Sequence, residues 1–301
     1  MDAWIPITIA AAFLQNLRSA LQKHLRSSLG TTGASFARFG YGFPVAILYV
    51  AALAAFAGYR MPQPNLTFAV WGIIGGLAQI YATILLVHLF SLRNFAVGTA
   101  YSKTEPVQAA LFGLIILGER LTAGAVAAII VGVIGVMLIS VARQRLSPGN
   151  LVRAMTSREA LIGIASGAVF GISAVAYRSA SLSLGGDQPI MQAAFTLACV
   201  TGFQTVYMLV WMAITDRAEI GRVARSWRSS SLVGLAGVTG SACWFTAMTL
   251  QQVAYVRALG QIELVFTFIS SVFIFRERIN RIEVTGCLLI VSGILLLLAW
   301  K

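Results

Sequence analysis

Residues 92–120 read LRNFAVGTAYSKTEPVQAALFGLIILGER, and residues 250–278 read LQQVAYVRALGQIELVFTFISSVFIFRER. The second stretch aligns with the first at an offset of 158 positions without a gap, and the match continues to residues 142 and 300. Of these 51 pairs 12 are identical, among them Glu105 with Glu263 and the Glu-Arg pairs at 119–120 and 277–278. Leu- and Ala-rich composition does not produce matched charges at a fixed spacing, so the chain contains an internal duplication.

The composition excludes a water-soluble domain of this size, because 58% of the 301 residues are hydrophobic and 11% are charged. A helix needs about 20 apolar residues to cross the hydrocarbon core of a bilayer. Ten stretches of this kind occur: 3–21, 35–57, 68–90, 95–116, 123–141, 160–177, 190–214, 232–250, 253–274 and 282–300. The sequence therefore predicts an all-α membrane protein with ten transmembrane helices.

The duplication also predicts how the spans are arranged. Five spans precede the polar stretch 142–159 and five follow it, and an odd number of spans reverses the orientation of the second copy. We therefore expect a 5+5 inverted-repeat bundle. Its parts are a first five-helix repeat at 1–141, a connecting loop at 142–159 and a second five-helix repeat at 160–301.

The net charge of +12 comes from basic residues in short loops between spans. Sorted by alternate loops, fourteen Lys and Arg residues fall on one side and four on the other. Cytoplasmic loops retain positive charge, so both termini are predicted to be periplasmic in a multi-pass protein of the bacterial inner (plasma) membrane. This distribution favours a topological role for the charge over nucleic-acid binding.

The duplicated segments also carry a family resemblance. AYSKTEP at 100–106 leads through an apolar run to LGERLT at 117–122, and the second copy has ALGQIE at 258–263 and FRERIN at 275–280. This pattern resembles the EamA-type members of the drug/metabolite transporter superfamily. The resemblance implies a basket-like helical bundle with a central cavity and secondary transport, often export of amino acids or other metabolites. Leu264 and Arg276 replace the Pro and Gly of the pattern, which weakens any argument that the two halves are mechanically identical.

Six charged residues fall well within predicted spans, and each is a functional candidate because a charge in lipid is costly unless it snorkels, pairs or faces water. They are Arg18, Arg38, Lys103, Glu105, Arg257 and Glu263. Arg18 and Arg38 lie near the cytoplasmic ends of their spans, where long side chains can snorkel to the interface. Alternatively they flank the mouth of a cavity. Arg38 also matches an arginine frequent in the family's second span, which makes it a gating candidate.

Lys103 and Arg257 lie deeper in their spans. Lys103 shares a helical face with Thr99, and Arg257 shares one with Gln261, because residues four apart are neighbours on a helix. At the offset of 158, Thr99 maps onto Arg257 and Lys103 onto Gln261, so each half presents the same two-position polar face with one cation. These four residues are predicted to bind substrate or gate its passage. The alternative is that each cation pairs with Glu105 or Glu263 for structure alone.

Glu105, on a stripe with Tyr101 and Gln108, and its mate Glu263 are candidates for carrying a proton through a transport cycle. Alternatively each acid ties its helix to a neighbour by hydrogen bonds. Pro106 is predicted to break the fourth span just after Glu105, and broken helices often mark transporter binding sites. Tyr101 and Gln108 are included among the substrate-binding or gating candidates.

The function favoured is a secondary active transporter that moves a small anionic or zwitterionic metabolite, such as an amino acid, by alternating access, with export as the expected direction. The predicted partners are the substrate, the bilayer and, as a candidate coupling ion, the proton. The alternatives are a lipid or amphiphile translocator on the same fold and a membrane-embedded lipid-modifying enzyme. An enzyme should show a metal or nucleophile constellation, and the sequence has only His24 and His88 and no such motif. We therefore predict no enzyme activity, no catalytic residue, no metal and no cofactor.

Overall fold

The computed structural model describes residues 2–25, 29–89, 101–141, 157–273 and 281–300, and every regular element in these ranges is an α-helix. The helices are α1 (Trp4–Leu25), α2 (Thr31–Gly40), α3 (Gly42–Phe56), α4 (Leu66–Leu89), α5 (Glu105–Leu117), α6 (Ala123–Val141), α7 (Arg158–Ser183), α8 (Pro189–Thr215), α9 (Arg217–Arg225), α10 (Trp227–Leu250), α11 (Val253–Gly260), α12 (Ile262–Phe273) and α13 (Arg281–Ala299).

Every one of these helices except α9 overlaps a predicted span, and α6 has the predicted bounds. Six stretches of the described chain are long and apolar enough to cross a membrane: Thr32–Phe56, Leu66–Leu86, Arg158–Ser183, Pro189–Thr215, Trp227–Leu250 and Arg281–Ala299. Two further apolar helices, Glu105–Leu117 and Ala123–Ile139, are shorter. The chain is a helical, multi-pass integral membrane protein, and the number ten for its crossings stays a prediction.

Three of the predicted spans contain a break. Tyr41 separates α2 from α3, a turn at 103–104 precedes α5, and Gln261 separates α11 from α12. The predicted break just after Glu105 was wrong in position, because the turn lies before this residue and Pro106 sits in the first turn of α5. Proline fits there, since the N–H it lacks would have no helical acceptor and its fixed φ suits a helix start.

The described chain forms two compact units, one of residues 1–77 and 176–250 and the other of residues 78–175 and 251–301. Each unit draws segments from both predicted repeats. The compact units therefore do not coincide with the predicted repeats. The repeat boundaries at 141 and 160 stay a prediction about the sequence.

In the first unit, glycines on α10 let neighbouring helices approach closely. A Cβ at Gly234 would lie 2.6 Å from the Cβ of Tyr41, and one at Gly237 would lie 3.0 Å from Cγ of Arg38. Gly240 meets Leu14 of α1 in the same way, at 3.3 Å. This stripe of small residues packs helices together, as such stripes do in membrane bundles.

Several buried polar groups of the first unit have partners. The ring of Tyr177 stacks on Phe245 at a centroid distance of 4.5 Å, and Gln204 Nε2 donates to the Tyr177 hydroxyl at 3.2 Å. Arg178 donates to the carbonyl oxygens of Met248 and Thr249 at the end of α10. A cation at this position complements the carbonyl end of the α10 dipole.

In the second unit, α6 packs against α13 through glycines. A Cβ at Gly286 would lie 2.6 Å from the carbonyl oxygen of Gly135, and a Cβ at Gly293 would lie 2.9 Å from the carbonyl oxygen of Ala128. The offset of 158 maps Gly135 onto Gly293 and Ala128 onto Gly286. The two contacts are therefore equivalents of each other across the duplication.

Candidate functional site

An ion pair joins the two duplicated segments in the second unit. Arg257 Nε lies 3.1 Å from Glu105 Oε1, and the two side chains are only 16% and 19% exposed. Glu105 begins α5, where a carboxylate is stabilised by the positive end of the helix dipole. Arg257 lies in α11, four residues before the break at Gln261. The packing of α11 on α5 brings the two charges together.

Gln108 extends this polar region along α5. Its Nε2 donates to Thr104 Oγ1 at 3.2 Å and to the carbonyl oxygen of Ile164 at 3.3 Å. A Cβ at Gly167 of α7 would lie 2.9 Å from Gln108 Oε1 and 2.8 Å from the carbonyl oxygen of Ser102. The absence of a side chain at Gly167 therefore lets α7 lie directly against the break before α5.

Gln261, the equivalent of Lys103 in the second repeat, lies at the break between α11 and α12. Its side chain is 8% exposed, and a Cβ at Gly132 of α6 would lie 2.5 Å from its Oε1. Its Nε2 has no hydrogen-bond partner among the residues that the structure describes. A buried amide donor in this state is costly and can be satisfied by a ligand acceptor.

The remaining sequence candidates of this unit have different surroundings. Lys103 lies in the turn before α5 and is partly exposed, whereas Tyr101 is buried and packs with Ala160, Met137 and Ile164. Glu263 lies in the first turn of α12 and is partly buried. Thr99 falls outside the described residues. The structure thus joins Glu105 directly to Arg257 and makes Tyr101 part of the apolar packing.

Arg38 belongs to the first unit. Its Nη2 donates to Ser241 Oγ at 3.3 Å, and its guanidinium lies 5.1 Å from the ring centroid of Phe39. The Cβ position of Gly237 lies 3.0 Å from Cγ of Arg38 and 3.5 Å from Cδ of Arg18, so both arginine stems cross α10 at this glycine. These contacts place Arg18 and Arg38 within the packed helices.

The Arg257 and Glu105 side chains carry the two opposite charges that would complement a zwitterion. A guanidinium binds carboxylates through paired hydrogen bonds, and a carboxylate accepts hydrogen bonds from an ammonium group. Among the described residues, no group of three or more His, Cys, Asp or Glu side chains could hold a metal ion. The described polar groups of this region offer charge pairing and amide hydrogen bonding.

Sequence reasoning missed the short helix α9, which it treated as a loop. Asp216 accepts a hydrogen bond from the backbone N–H of Glu219 at 3.3 Å, so the sequence Asp-Arg-Ala-Glu at 216–219 is the helix-start signal that could have found it. Glu219 is 3% exposed and lies against Gly30 and Gly33 at the start of α2. Through Glu219, α9 packs against α2, the helix that carries Arg38.

Comparison with known proteins identifies the family of the chain. The family model of the EamA-like transporter family matches residues 2–141 and again residues 157–299. The chain belongs to the EamA-like transporter family. As a member, this EamA-like protein is a membrane transporter of the drug/metabolite type.

Among the solved structures that match, a crystal structure is similar to the EamA-like protein over its whole length. Its TM-score is 0.74 at 18% sequence identity, and the match covers 100% of this chain and 97% of that chain. Likeness at this identity shows a shared fold and nothing about the substrate. A search among curated proteins finds no match.

Proposed function

We propose that this EamA-like protein is a secondary active transporter that moves a small anionic or zwitterionic metabolite, such as an amino acid, across the bacterial inner membrane. It works by alternating access and in the direction of export. The observation that carries this proposal is the ion pair between Arg257 and Glu105.

The energetics of the pair support a functional role. A charge at the centre of a transmembrane helix costs about 2.5–3.5 kcal/mol even on the lower experimental scales. Replacing a buried ion pair by apolar residues of similar volume is often neutral or stabilising, so stability alone does not explain two charges here. The breaks beside both residues add the irregular backbone that transporters have near binding sites.

The same geometry supports the substrate class. Arg257 would bind the carboxylate of an α-amino acid and Glu105 its ammonium group, each exchanging its present partner for the substrate. The amides of Gln108 and Gln261 would supply neutral hydrogen bonds, and Lys103 would add a second cation for an acidic substrate. Arg38 is assigned a gating role.

The proposed architecture has ten spans in an inverted 5+5 arrangement with both termini periplasmic. The equivalent glycine contacts of α6 and α13 support a twofold relation between these helices. The excess of Lys and Arg residues in one set of alternate loops supports a cytoplasmic position for those loops and a periplasmic position for both termini. Proton coupling is assigned to Glu105 or Glu263.

The experiment begins with the purified full-length protein and a thermal-shift screen of neutral and acidic amino acids, dicarboxylates and nucleosides. A ligand that binds only the native state raises the melting temperature. The ligand with the largest shift is then radiolabelled and its flux measured in proteoliposomes. We expect an amino acid or organic acid to be transported, and Arg257→Gln to reduce its flux at least tenfold.

Arg120→Gln is the matched control, because Arg120 is an exposed arginine of the same unit. It should retain the flux of the unmodified protein. Glu105→Gln and Glu263→Gln are compared with and without an imposed pH gradient, and the coupling residue is the one whose variant no longer responds to the gradient. Movement of labelled phospholipid without flux of any polar probe would contradict the proposal and favour a lipid translocator.

A further inference from the structure

A basic surface runs along α9 to the start of α10. We call it the arginine patch, and it consists of Arg217, Arg225, Trp227 and Arg228, all exposed. Trp227 is 56% exposed, and the guanidinium of Arg228 lies 5.5 Å from the centroid of its indole ring. Arg225 Nε donates to the carbonyl oxygen of Gly221 at 3.3 Å, which holds its stem along α9.

The acidic residues of this segment do not neutralise the arginine patch, because they are engaged elsewhere. Glu219 is buried against the start of α2, and Arg222 forms ion pairs with both Glu219 and Asp216. The hydrogen bonds of Glu219 first, and then of Asp216, raise the pKa of Arg222. The outward charge of the segment is therefore carried by Arg217, Arg225 and Arg228.

We propose that the arginine patch is a binding site for the headgroup phosphates of anionic phospholipids. Trp227 begins a helix that is long and apolar enough to cross the membrane, so its exposed indole lies at the level where Trp residues anchor helices at the interface. Arginines beside it present paired N–H donors that match phosphate oxygens. The cytoplasmic leaflet is rich in anionic lipid, and the basic-loop distribution predicts that this face is cytoplasmic.

Two features argue against other occupants. A second copy of the same face would bring like charges together, which is unfavourable. A soluble polyanion would bind the arginines but would leave the apolar ring of Trp227 in water, whereas a lipid covers the ring with its acyl chains.

Lipid binding here also has a structural consequence. The inner face of α9 contacts the α2 region at two places. Glu219, near the start of α9, lies against Gly30 and Gly33 at the start of α2. The hydroxyl of Tyr41, the residue after α2, donates to the carbonyl oxygen of Val223 near the end of α9 at 3.2 Å. A lipid phosphate on the outer face stabilises α9 and therefore its contacts with α2. Anionic lipid should thus raise the thermal stability of the whole chain.

The test titrates the full-length protein in a neutral detergent with phosphatidylglycerol or with phosphatidylcholine and follows its melting temperature. We expect phosphatidylglycerol to raise the melting temperature by several degrees more than phosphatidylcholine. The double variant Arg225→Gln/Arg228→Gln should lose at least half of this difference. Arg60→Gln, a control at an exposed arginine after α3, should keep it. Equal losses in the two variants, or equal stabilisation by inorganic phosphate, would overturn the proposal.

A second measurement does not depend on the stability of the double variant. Brominated phosphatidylglycerol and brominated phosphatidylcholine are compared as quenchers of tryptophan fluorescence in lipid nanodiscs. Phosphatidylglycerol should quench more strongly, and Trp227→Phe should remove this excess although five other tryptophans remain. If the excess persists in Trp227→Phe, the lipid binds elsewhere and the arginine patch is not its site.

Discussion

The two helix breaks of the second unit lie at equivalent places in the duplicated sequence, yet they are built differently. The turn at 103–104 is followed by Pro106, whereas the break at Gln261 is followed by Leu264 at the position of that proline. Because a break forms with and without proline, proline is not its cause. Close packing against each break, by α7 at Gly167 and by α6 at Gly132, is common to both.

The charges differ as well. Both breaks are followed by a glutamate in the first turn of the next helix, but the position of Arg257 is occupied by Thr99 in the first repeat. Both halves therefore have the helix break and the glutamate that follows it. Only the second half has the arginine of the ion pair. The two halves provide one scaffold and are not chemically interchangeable.

The largest expected effect comes from removing the cation of the pair. Arg257→Gln leaves the partly buried Glu105 without its guanidinium, which should cost less than the about 3–5 kcal/mol of breaking a fully buried pair. We expect a clear fall in melting temperature, measured by size-exclusion chromatography after heating. Thr99→Val, the change at the equivalent position of the first repeat, should have a much smaller effect. An equal fall in both variants would show that the halves are chemically alike.

An intermediate effect is expected where α6 and α13 meet. Gly286→Ala places a Cβ 2.6 Å from the Gly135 carbonyl oxygen, so the helices must separate, and overpacking of this kind costs about 1–3 kcal/mol. Gly72→Ala is the matched control, because its Cβ would have an ordinary contact of 3.8 Å with Val200. The melting temperature of the first variant should fall and that of the control should not. If Gly286→Ala is neutral, the two helices are less closely packed than described.

The smallest effect is expected from making the two breaks alike. Pro106→Leu gives the first break the residue of the second, and because proline lies in the first turn of α5 the change should cost less than about 1 kcal/mol. Thermal stability and flux should both stay close to those of the unmodified protein. A large loss of stability would mean that the first break, unlike the second, depends on proline.

The sequence predicted the helical membrane fold because apolar length and matched charges are local or periodic signals. It placed α6 at 123–141 and identified the family from residues 100–122 and 258–280. It missed the break at Tyr41, and it located the break near Pro106 on the wrong side of Glu105. Break positions depend on which neighbouring helices approach the backbone, and no local pattern records that.

In the candidate site too, the sequence predicted the residue types but not the contacts that depend on helix packing. The sequence marked Glu105 and Arg257 as costly charges, favoured a cavity role for Arg257 and gave its pairing with Glu105 or Glu263 as the alternative. The choice of Glu105 follows from the packing of α11 on α5, a contact between residues about 150 positions apart in the chain. Glu219 escaped notice because its burial depends on Gly30 and Gly33, which are remote in sequence.

The most direct test of the account is the double variant Glu105→Gln/Arg257→Gln, measured for both stability and flux of the ligand found by thermal shift. Removing both charges leaves neither member of the pair without the other, so the melting temperature should return close to that of the unmodified protein. Because the substrate has lost its two charged partners, flux should remain at least tenfold reduced. If flux returned together with stability, the pair would be a structural contact and its assignment as the substrate site would be wrong.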